Sequence, residues 1–197
     1  MTEHYYTEYP TSEIREKSFT ATIKEKTLSF ISVSGVFSFE GKIDKASGLL
    51  IKNFIPSGNT ILDLGCGYGV IGLFTKALFP AQSVWLTDIN NRAVDYAKLN
   101  ASKNLLDVNI VKSDLFSGLD GLLFDDIVAN PPLAAGKRLN TQLIAEAFER
   151  LNPGGSLWLV AYHNKGGSAL KKIMQTRFCN AADVGKAGGI HIYRSVR

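Results

Sequence analysis

Cysteine is scarce in this chain. Cys66 and Cys179 are its two copies, too few for a disulfide framework, and Cys66 stands inside a glycine-rich turn, so reduced thiols in a cytoplasmic protein are expected. Histidine is almost as sparse: His4, His163 and His191 are scattered without metal-ligand spacing, and no metal is expected. No apolar run approaches the roughly 18 residues of a membrane span, and the polar, aromatic start M-T-E-H-Y-Y-T-E-Y-P has no signal-peptide pattern. A membrane partner is therefore not expected. Linkers, internal repeats and low-complexity tracts are missing too. What remains is 197 residues, 45% hydrophobic and 20% charged, enough for one domain (1–197) with an ample core.

Charge is unevenly placed. The net charge is +4. From Lys165 onward seven basic residues (Lys165, Lys171, Lys172, Arg177, Lys186, Arg194, Arg197) accompany Asp183 as the sole acid, so everything before them is net −2. A one-sided basic end suits a polyanionic partner, although solvated lysines on helix faces give the same pattern.

The most informative stretch is T-I-L-D-L-G-C-G-Y-G-V-I-G, Thr60–Gly72. Ile61, Leu62 and Leu64 read as a buried strand. Gly65, Gly67 and Gly69 follow at spacing two, and Val70, Leu73, Phe74, Ala77 and Leu78 then recur on one face of a helix. Strand, glycine turn and helix form half of a βαβ unit, with the helix N-terminus aimed at whatever lies over the turn. Gly67–Gly72 spells the dinucleotide fingerprint G-x-G-x-x-G. Asp88, with Ile89 beside it, ends the next strand 21 residues beyond Gly67, where a carboxylate can take both hydroxyls of a ribose. That much serves an NAD-dependent oxidoreductase, an S-adenosylmethionine enzyme or a non-catalytic nucleotide-binding module.

The rest of the chain supplies the architecture. Residues 1–56 form an N-terminal extension: strands Phe19–Ile23 and Leu28–Val33 joined through Lys24–Thr27, the polar patch after Gly35-Val36-Phe37-Ser38, and a helix over Asp44–Phe54. Within the core, 57–197, strands are expected at Ser83–Thr87, Val108–Ser113, Phe124–Ala129 and Leu157–Tyr162. Helices are expected from Asn90 or Asn91 to Asn104, over Leu139–Leu151 up to Asn152-Pro153-Gly154-Gly155, and to about Phe178. Ile190–Val196 alternates strictly after Gly188-Gly189, as an antiparallel strand behind a hairpin turn would. The fold class is thus α/β: a doubly wound, mostly parallel seven-stranded Rossmann-like sheet with a terminal antiparallel strand and a small N-terminal hairpin–helix extension.

Asn130-Pro131-Pro132-Leu133 follows the strand ending at Ala129. Two prolines remove two backbone donors and fix both φ angles, so Asn130 is held before a rigid turn. Its side-chain oxygen and the next carbonyl can accept from an exocyclic –NH₂ and aim the nitrogen lone pair. A conjugated amine is a poor nucleophile, and orientation is what it needs. An oxidoreductase would leave this turn without a role.

Taken together, Asp63, Gly65, Gly67 and Gly69 in D-x-G-x-G-x-G resemble motif I of class I S-adenosylmethionine-dependent methyltransferases. Asn130-Pro131-Pro132 is similar to motif IV of those that act on planar amino nitrogens. With His4-Tyr5-Tyr6, Gly35-Val36-Phe37-Ser38, Asp44 and Leu49-Leu50, the pattern resembles the small-domain ribosomal RNA guanine-N2 methyltransferases. Bacterial members of that family carry two tandem domains, and this chain corresponds to the catalytic one, as in compact archaeal-type relatives. The resemblance implies S-adenosylmethionine on Asp63, Gly65, Cys66, Gly67, Tyr68, Gly69, Asp88, Ile89, Asp114, Leu115 and Asn130, with Asp114 at the adenine amino group and Leu115 flanking the ring. It implies catalysis by Asn130, Pro131 and Pro132 on an amino nitrogen of ribosomal RNA, most closely guanine N2. It implies substrate contact at Phe37 and Leu133: Leu133 stands where an aromatic often stacks on the target, and Phe37 is the substitute candidate for that stacking. A protein glutamine-N5 methyltransferase shares the same motif logic.

Overall fold

The computed structural model describes residues 7–197; His4, Tyr5 and Tyr6 lie outside the described residues. Two antiparallel strands open it, β1 (Glu16–Ile23) and β2 (Lys26–Val33), paired through the register Ile23 with Lys26. The helix α1 (Lys45–Asn53) follows. The main layer alternates β3 (Thr60–Leu64), α2 (Val70–Leu78), β4 (Ser83–Asp88), α3 (Asn91–Lys103), β5 (Asn109–Lys112) and β6 (Phe124–Ala129). It ends with α4 (Lys137–Arg150), β7 (Leu151–Tyr162), α5 (Gly167–Phe178), β8 (Ala182–Ala187) and β9 (Ile190–Val196).

Among the described residues the sheets are a two-stranded β1–β2 pair and a seven-stranded sheet ordered β5-β4-β3-β6-β7-β9-β8. Strands β3 to β7 pair in parallel, and β9 runs antiparallel to both β7 and β8. Period-two alternation divides the strands between two cores. Ile61 and Val128 face one layer with α1, α2, α3 and the hairpin, whereas Leu62, Ile127 and Ala129 face the other, with α4 and α5. Chain order reverses between β3, which leads to β4, and β6 on its other side. A crevice at the carboxyl ends of the strands opens at such a switch point.

Several boundaries differ from the expectation; β1 and β2 begin at Glu16 and Lys26, ahead of Phe19 and Leu28. Leu151 leaves the α4 pattern and begins β7, which continues through Asn152-Pro153-Gly154-Gly155 instead of stopping there. The C-terminus supplies the partners: Gly154 N–H donates to Arg197 O at 3.0 Å and Arg197 N–H to Gly155 O at 2.9 Å. Strand β8, A-D-V-G-K-A, is an edge strand with five of its six residues exposed, so it has no buried alternation to betray it. Strand β5 is shorter than Val108–Ser113 because pairing with β4 covers only Asn109 to Lys112.

Candidate functional site

A cavity of about 250 Å³ opens where β3, β4, β5 and β6 end, roofed by the Val36–Ser38 loop. The turn after β3 shapes its floor. Gly65, Gly67 and Gly69 have φ of +73°, +57° and +97°, a left-handed region that costs a side-chain-bearing residue but not glycine. A Cβ on Gly65 would meet no atom within 4 Å, so its backbone faces open space. Gly72 is glycine for the opposite reason: a Cβ there would lie 2.5 Å from Leu86 Cγ, and its absence lets α2 lie close on β4.

Asp88 does more than hang over a sheet edge. Its Oδ2 accepts from Gly67 N–H at 2.8 Å and its Oδ1 from Asn90 N–H at 2.9 Å, tying the glycine turn to the end of β4. Burial pushes its carboxyl up, against the pull of the N–H groups of Asn90, Gly67 and Ile89. Asn90 caps α3 by accepting from Ala93 N–H at 3.2 Å. It also donates to Gly35 O at 2.9 Å, fixing the roof loop.

Of the predicted residues, Gly65, Cys66, Gly67, Tyr68, Asp88, Ile89, Asp114, Leu115, Asn130, Pro131, Pro132 and Phe37 line this one cavity; Asp63, Gly69 and Leu133 do not. Asp63 is fully buried beneath the floor. Its Oδ2 accepts from Gly72 N–H at 2.7 Å, and its Oδ1 has no partner among the described residues. Burial pushes its carboxyl up to about 7, with Gly72 N–H pulling the other way. Leu133 starts a short 3₁₀ turn and packs on the α4–α5 core, beside Gly166. An apolar side chain at this point turns inward.

Tyr68 is 2% exposed. Its ring packs edge-on against Phe19 and Phe30, and its hydroxyl donates to Ser38 O at 3.3 Å. It joins the glycine turn to the N-terminal extension and gives the cavity only part of its wall. The Cys66 thiol is held well above its usual range by burial and by the nearby Asp88 and Asp63, so it is not a thiolate nucleophile. Leu115 has φ +48°; the Ser113 hydroxyl donates to its carbonyl at 2.8 Å and accepts from Gly118 N–H at 2.9 Å. Asp114 is exposed beside it, and Phe37 is 40% exposed on the roof.

The contact with the clearest chemical direction is one the sequence reading missed. Asn130 Nδ2 donates to Asp44 Oδ1 at 3.3 Å and to Ser47 Oγ at 3.2 Å. Asp44 Oδ1 also caps α1, accepting from Ala46 and Ser47 N–H at 3.0 Å each. A carboxylate oxygen can only accept, so the amide nitrogen of Asn130 must face Asp44. Its Oδ1 is left without a partner among the described residues, on a residue of the cavity wall. The sequence signals only half of it: Asp44 preceding an apolar-periodic run is an N-cap. Leu139 and Leu143 of α4 complete the wall and carried no signal beyond helical periodicity.

The basic C-terminal stretch does not form one bare patch. Lys171 pairs with Asp183 and Arg177 with Glu149. Arg194 lies 5.2 Å over Trp158, and Arg197 Nη1 donates to Leu151 O. Lys165 sits 5.5 Å over the Tyr162 ring.

A sheet of this order with a glycine turn, a β4 carboxylate and an N-P-P turn converging on one crevice is the architecture of the class I methyltransferases. The family model described as methyltransferase small domain matches residues 27–194, and the chain belongs to that family. It is 35% identical over 201 residues to the uncharacterized protein YbxB of Bacillus subtilis, covering 99% of this chain and 98% of that one. To the ribosomal RNA small subunit methyltransferase C of Haemophilus influenzae it is 37% identical over 153 residues, 74% of this chain and 46% of that enzyme. Among solved structures, the T. thermophilus 16S rRNA N2-guanine methyltransferase in complex with AdoMet and guanosine superposes with a TM-score of 0.80 at 24% identity, covering 95% of this chain and 52% of that one. The chain thus spans about half the length of these two ribosomal RNA methyltransferases. No helix among the described residues is long and apolar enough to cross a membrane.

Proposed function

We propose that this chain transfers a methyl group from S-adenosylmethionine to an exocyclic amino nitrogen of an RNA base, with guanine N2 of ribosomal RNA as the target. The observation that carries this reading is the fixed polarity of Asn130, whose nitrogen is held by Asp44 and Ser47 while its oxygen is left for a donor in the cavity. The relatives named for ribosomal RNA methylation support the choice of substrate.

The cavity suits the cofactor. Gly65 and Gly67 bring bare backbone to its floor. Asp88, with both oxygens already aligned by N–H donors, keeps lone pairs for the ribose hydroxyls. Asp114 is assigned to the adenine amino group and Leu115 to its ring face; both line the cavity, and Leu139 and Leu143 add an apolar wall. Bound there, S-adenosylmethionine supplies a methyl group on a sulfonium that departs as a neutral thioether. Asn130 Oδ1 accepts one N–H of the target amine; Asp44 and Ser47 keep that oxygen from rotating away, and Pro131 and Pro132 stiffen the backbone of the turn. The amine lone pair is thereby aimed, and positive charge growing on nitrogen meets an oriented amide oxygen. No strong base is required: the methylated amine is cationic and strongly acidic, and it releases its extra proton to water. Phe37, on the roof of the cavity, is assigned to contact the target base, together with Leu133 at the end of the N-P-P turn. The reaction would take place in the cytoplasm, where ribosomal RNA is found. In the domain reading, 57–197 holds the catalytic core and 1–56 orients Asn130 through Asp44.

The test is incubation with S-adenosylmethionine labelled in its methyl group and either total RNA or total protein, followed by digestion. Label in N2-methylguanosine supports the proposal. Label in glutamine of protein selects the N5-glutamine reading instead.

A further inference from the structure

A second concavity of about 640 Å³ lies outside the cofactor crevice, between β1, α1 and the β8–β9 turn, with Tyr162 in its lining. Its floor is apolar, with Ile43, Leu49 and Ile190 among its residues, and Lys42, Lys45 and Lys52 belong to its lining. We propose that this groove holds the single-stranded RNA that flanks the target base. The inference rests on the RNA reading above and gives the polyanion a place that the C-terminal stretch does not.

Charge is the first argument. Lys45 and Lys52 make no ion pair among the described residues, and Lys42 meets Glu40 in an exposed contact of 3.0 Å. The one acid in the lining, Asp44, faces the N-terminal N–H groups of α1 and the Asn130 amide. The groove is therefore net positive. Lys45 and Lys52 stand seven residues apart on one helix, about 10 Å along its axis. That separation suits a chain of regularly spaced anions better than one anion. By contrast, Lys171, Arg177, Arg194 and Arg197 are already engaged within the protein.

Shape and continuity are the second. A concave, mostly apolar lining that includes an exposed aromatic accepts unstacked bases, whereas a duplex would keep its bases stacked inside a sugar–phosphate surface. Tyr162 is 40% exposed, and Lys165 adds a cation at its ring. Asp44 lines both this groove and the cofactor crevice, so a strand lying in the groove continues to the position in front of Asn130.

The experiment compares the parent chain with Lys45→Glu/Lys52→Glu, Lys45→Gln/Lys52→Gln and, as a control, Lys171→Glu/Lys172→Glu. The probe is a fluorescein-labelled single-stranded fragment of 16S rRNA, titrated by anisotropy across a salt series. Both groove variants should bind RNA at least about 10-fold more weakly, with a log–log salt slope shallower by about two, one for each lost phosphate contact. Their affinity for S-adenosylhomocysteine should stay at the parental value, which also reports that they are folded. The control should bind RNA as the parent does. Equal RNA affinity in parent and groove variants, loss confined to the control, or salt-independent binding typical of a protein-type partner surface would each overturn the groove. Parallel labelling of RNA by the parent keeps the two readings apart. Groove-dependent binding without methyl transfer to RNA would overturn the proposed reaction and leave the groove standing.

Discussion

Asp44 holds the amide nitrogen of Asn130 across 86 residues of chain, at 3.3 Å. The same oxygen starts α1, so helix capping and the orientation of Asn130 are functions of one atom. Substitutions can separate them. Serine caps a helix nearly as well as aspartate but is too short to keep this contact, so Asp44→Ser should retain thermal stability and lose turnover. Asn130→Asp should also be impaired, because it places a second carboxylate against Asp44. Combining Asn130→Asp with Asp44→Asn restores a donor–acceptor pair of reversed polarity, and kcat should recover relative to Asn130→Asp alone. A double variant no faster than the slower single variant would show that Asp44 acts only as a cap.

Asp88 makes a different kind of prediction. Its oxygens hold Gly67 and Asn90, so Asp88→Ala should loosen the turn as well as remove a ribose ligand. Hydrogen bonds to a charged group contribute roughly 1.5–3 kcal/mol, which corresponds to about 10- to 150-fold weaker binding of S-adenosylmethionine. The melting temperature should fall in the same variant. Calorimetric titration showing parental affinity would remove Asp88 from the cofactor site.

Asp63 governs a pH dependence of stability. Burial raises its folded-state pKa from 3.8 to about 7. Between those values the folded chain holds a proton that the unfolded chain has released. Its contribution is thus fully present below pH 3.8 and is lost as pH rises through about 7, with a slope of at most about 1.4 kcal/mol per pH unit. Asp63→Asn cannot titrate, and asparagine can still accept from Gly72 N–H. Urea denaturation from pH 4 to 8 should show the parent losing stability relative to the variant across that window. Parallel curves would mean that the carboxyl is ionised throughout.

How much of this was legible depended on whether the information was local. The β3–turn–α2 unit was readable because its glycines and apolar periodicity lie within Thr60–Leu78. The N-P-P turn was readable because proline fixes its own backbone. Edge strand β8 was not, since A-D-V-G-K-A buries too little to leave a pattern. The packing of Leu133 was not legible either: an apolar side chain beside the α4–α5 core turns toward it. Tyr68 lines the cavity, and its ring also completes an aromatic cluster with Phe19 and Phe30, from a hairpin 38 to 49 residues upstream, which no local pattern shows. The Asp44–Asn130 contact was beyond local reading because its halves belong to α1 and to the end of β6. Asp44 could be read as a cap, but nothing in its neighbours names the third group on its oxygen.

Asn130 is where binding and catalysis separate. Its oxygen is assigned to the target amine, and charge appears on that nitrogen only as the methyl group moves, so the interaction strengthens in the transition state. Removing one such preorganised group typically costs about 10²–10³ in turnover. Asn130→Ala should therefore lose most of its single-turnover rate while holding S-adenosylmethionine within a few-fold of the parent, because Asp88 and the glycine turn are untouched. It should also release Asp44 and Ser47 from their side-chain partner without uncapping α1, since the Ala46 and Ser47 N–H contacts remain. Two hydrogen bonds are lost, one of them to a carboxylate, so stability should fall by roughly 1–4 kcal/mol. The decisive comparison is single-turnover methyl transfer beside a binding isotherm and a melting curve on the same preparation. A variant that transfers at the parental rate would reduce the N-P-P turn to a structural turn and remove the assignment to amino-nitrogen chemistry, whatever RNA the protein binds.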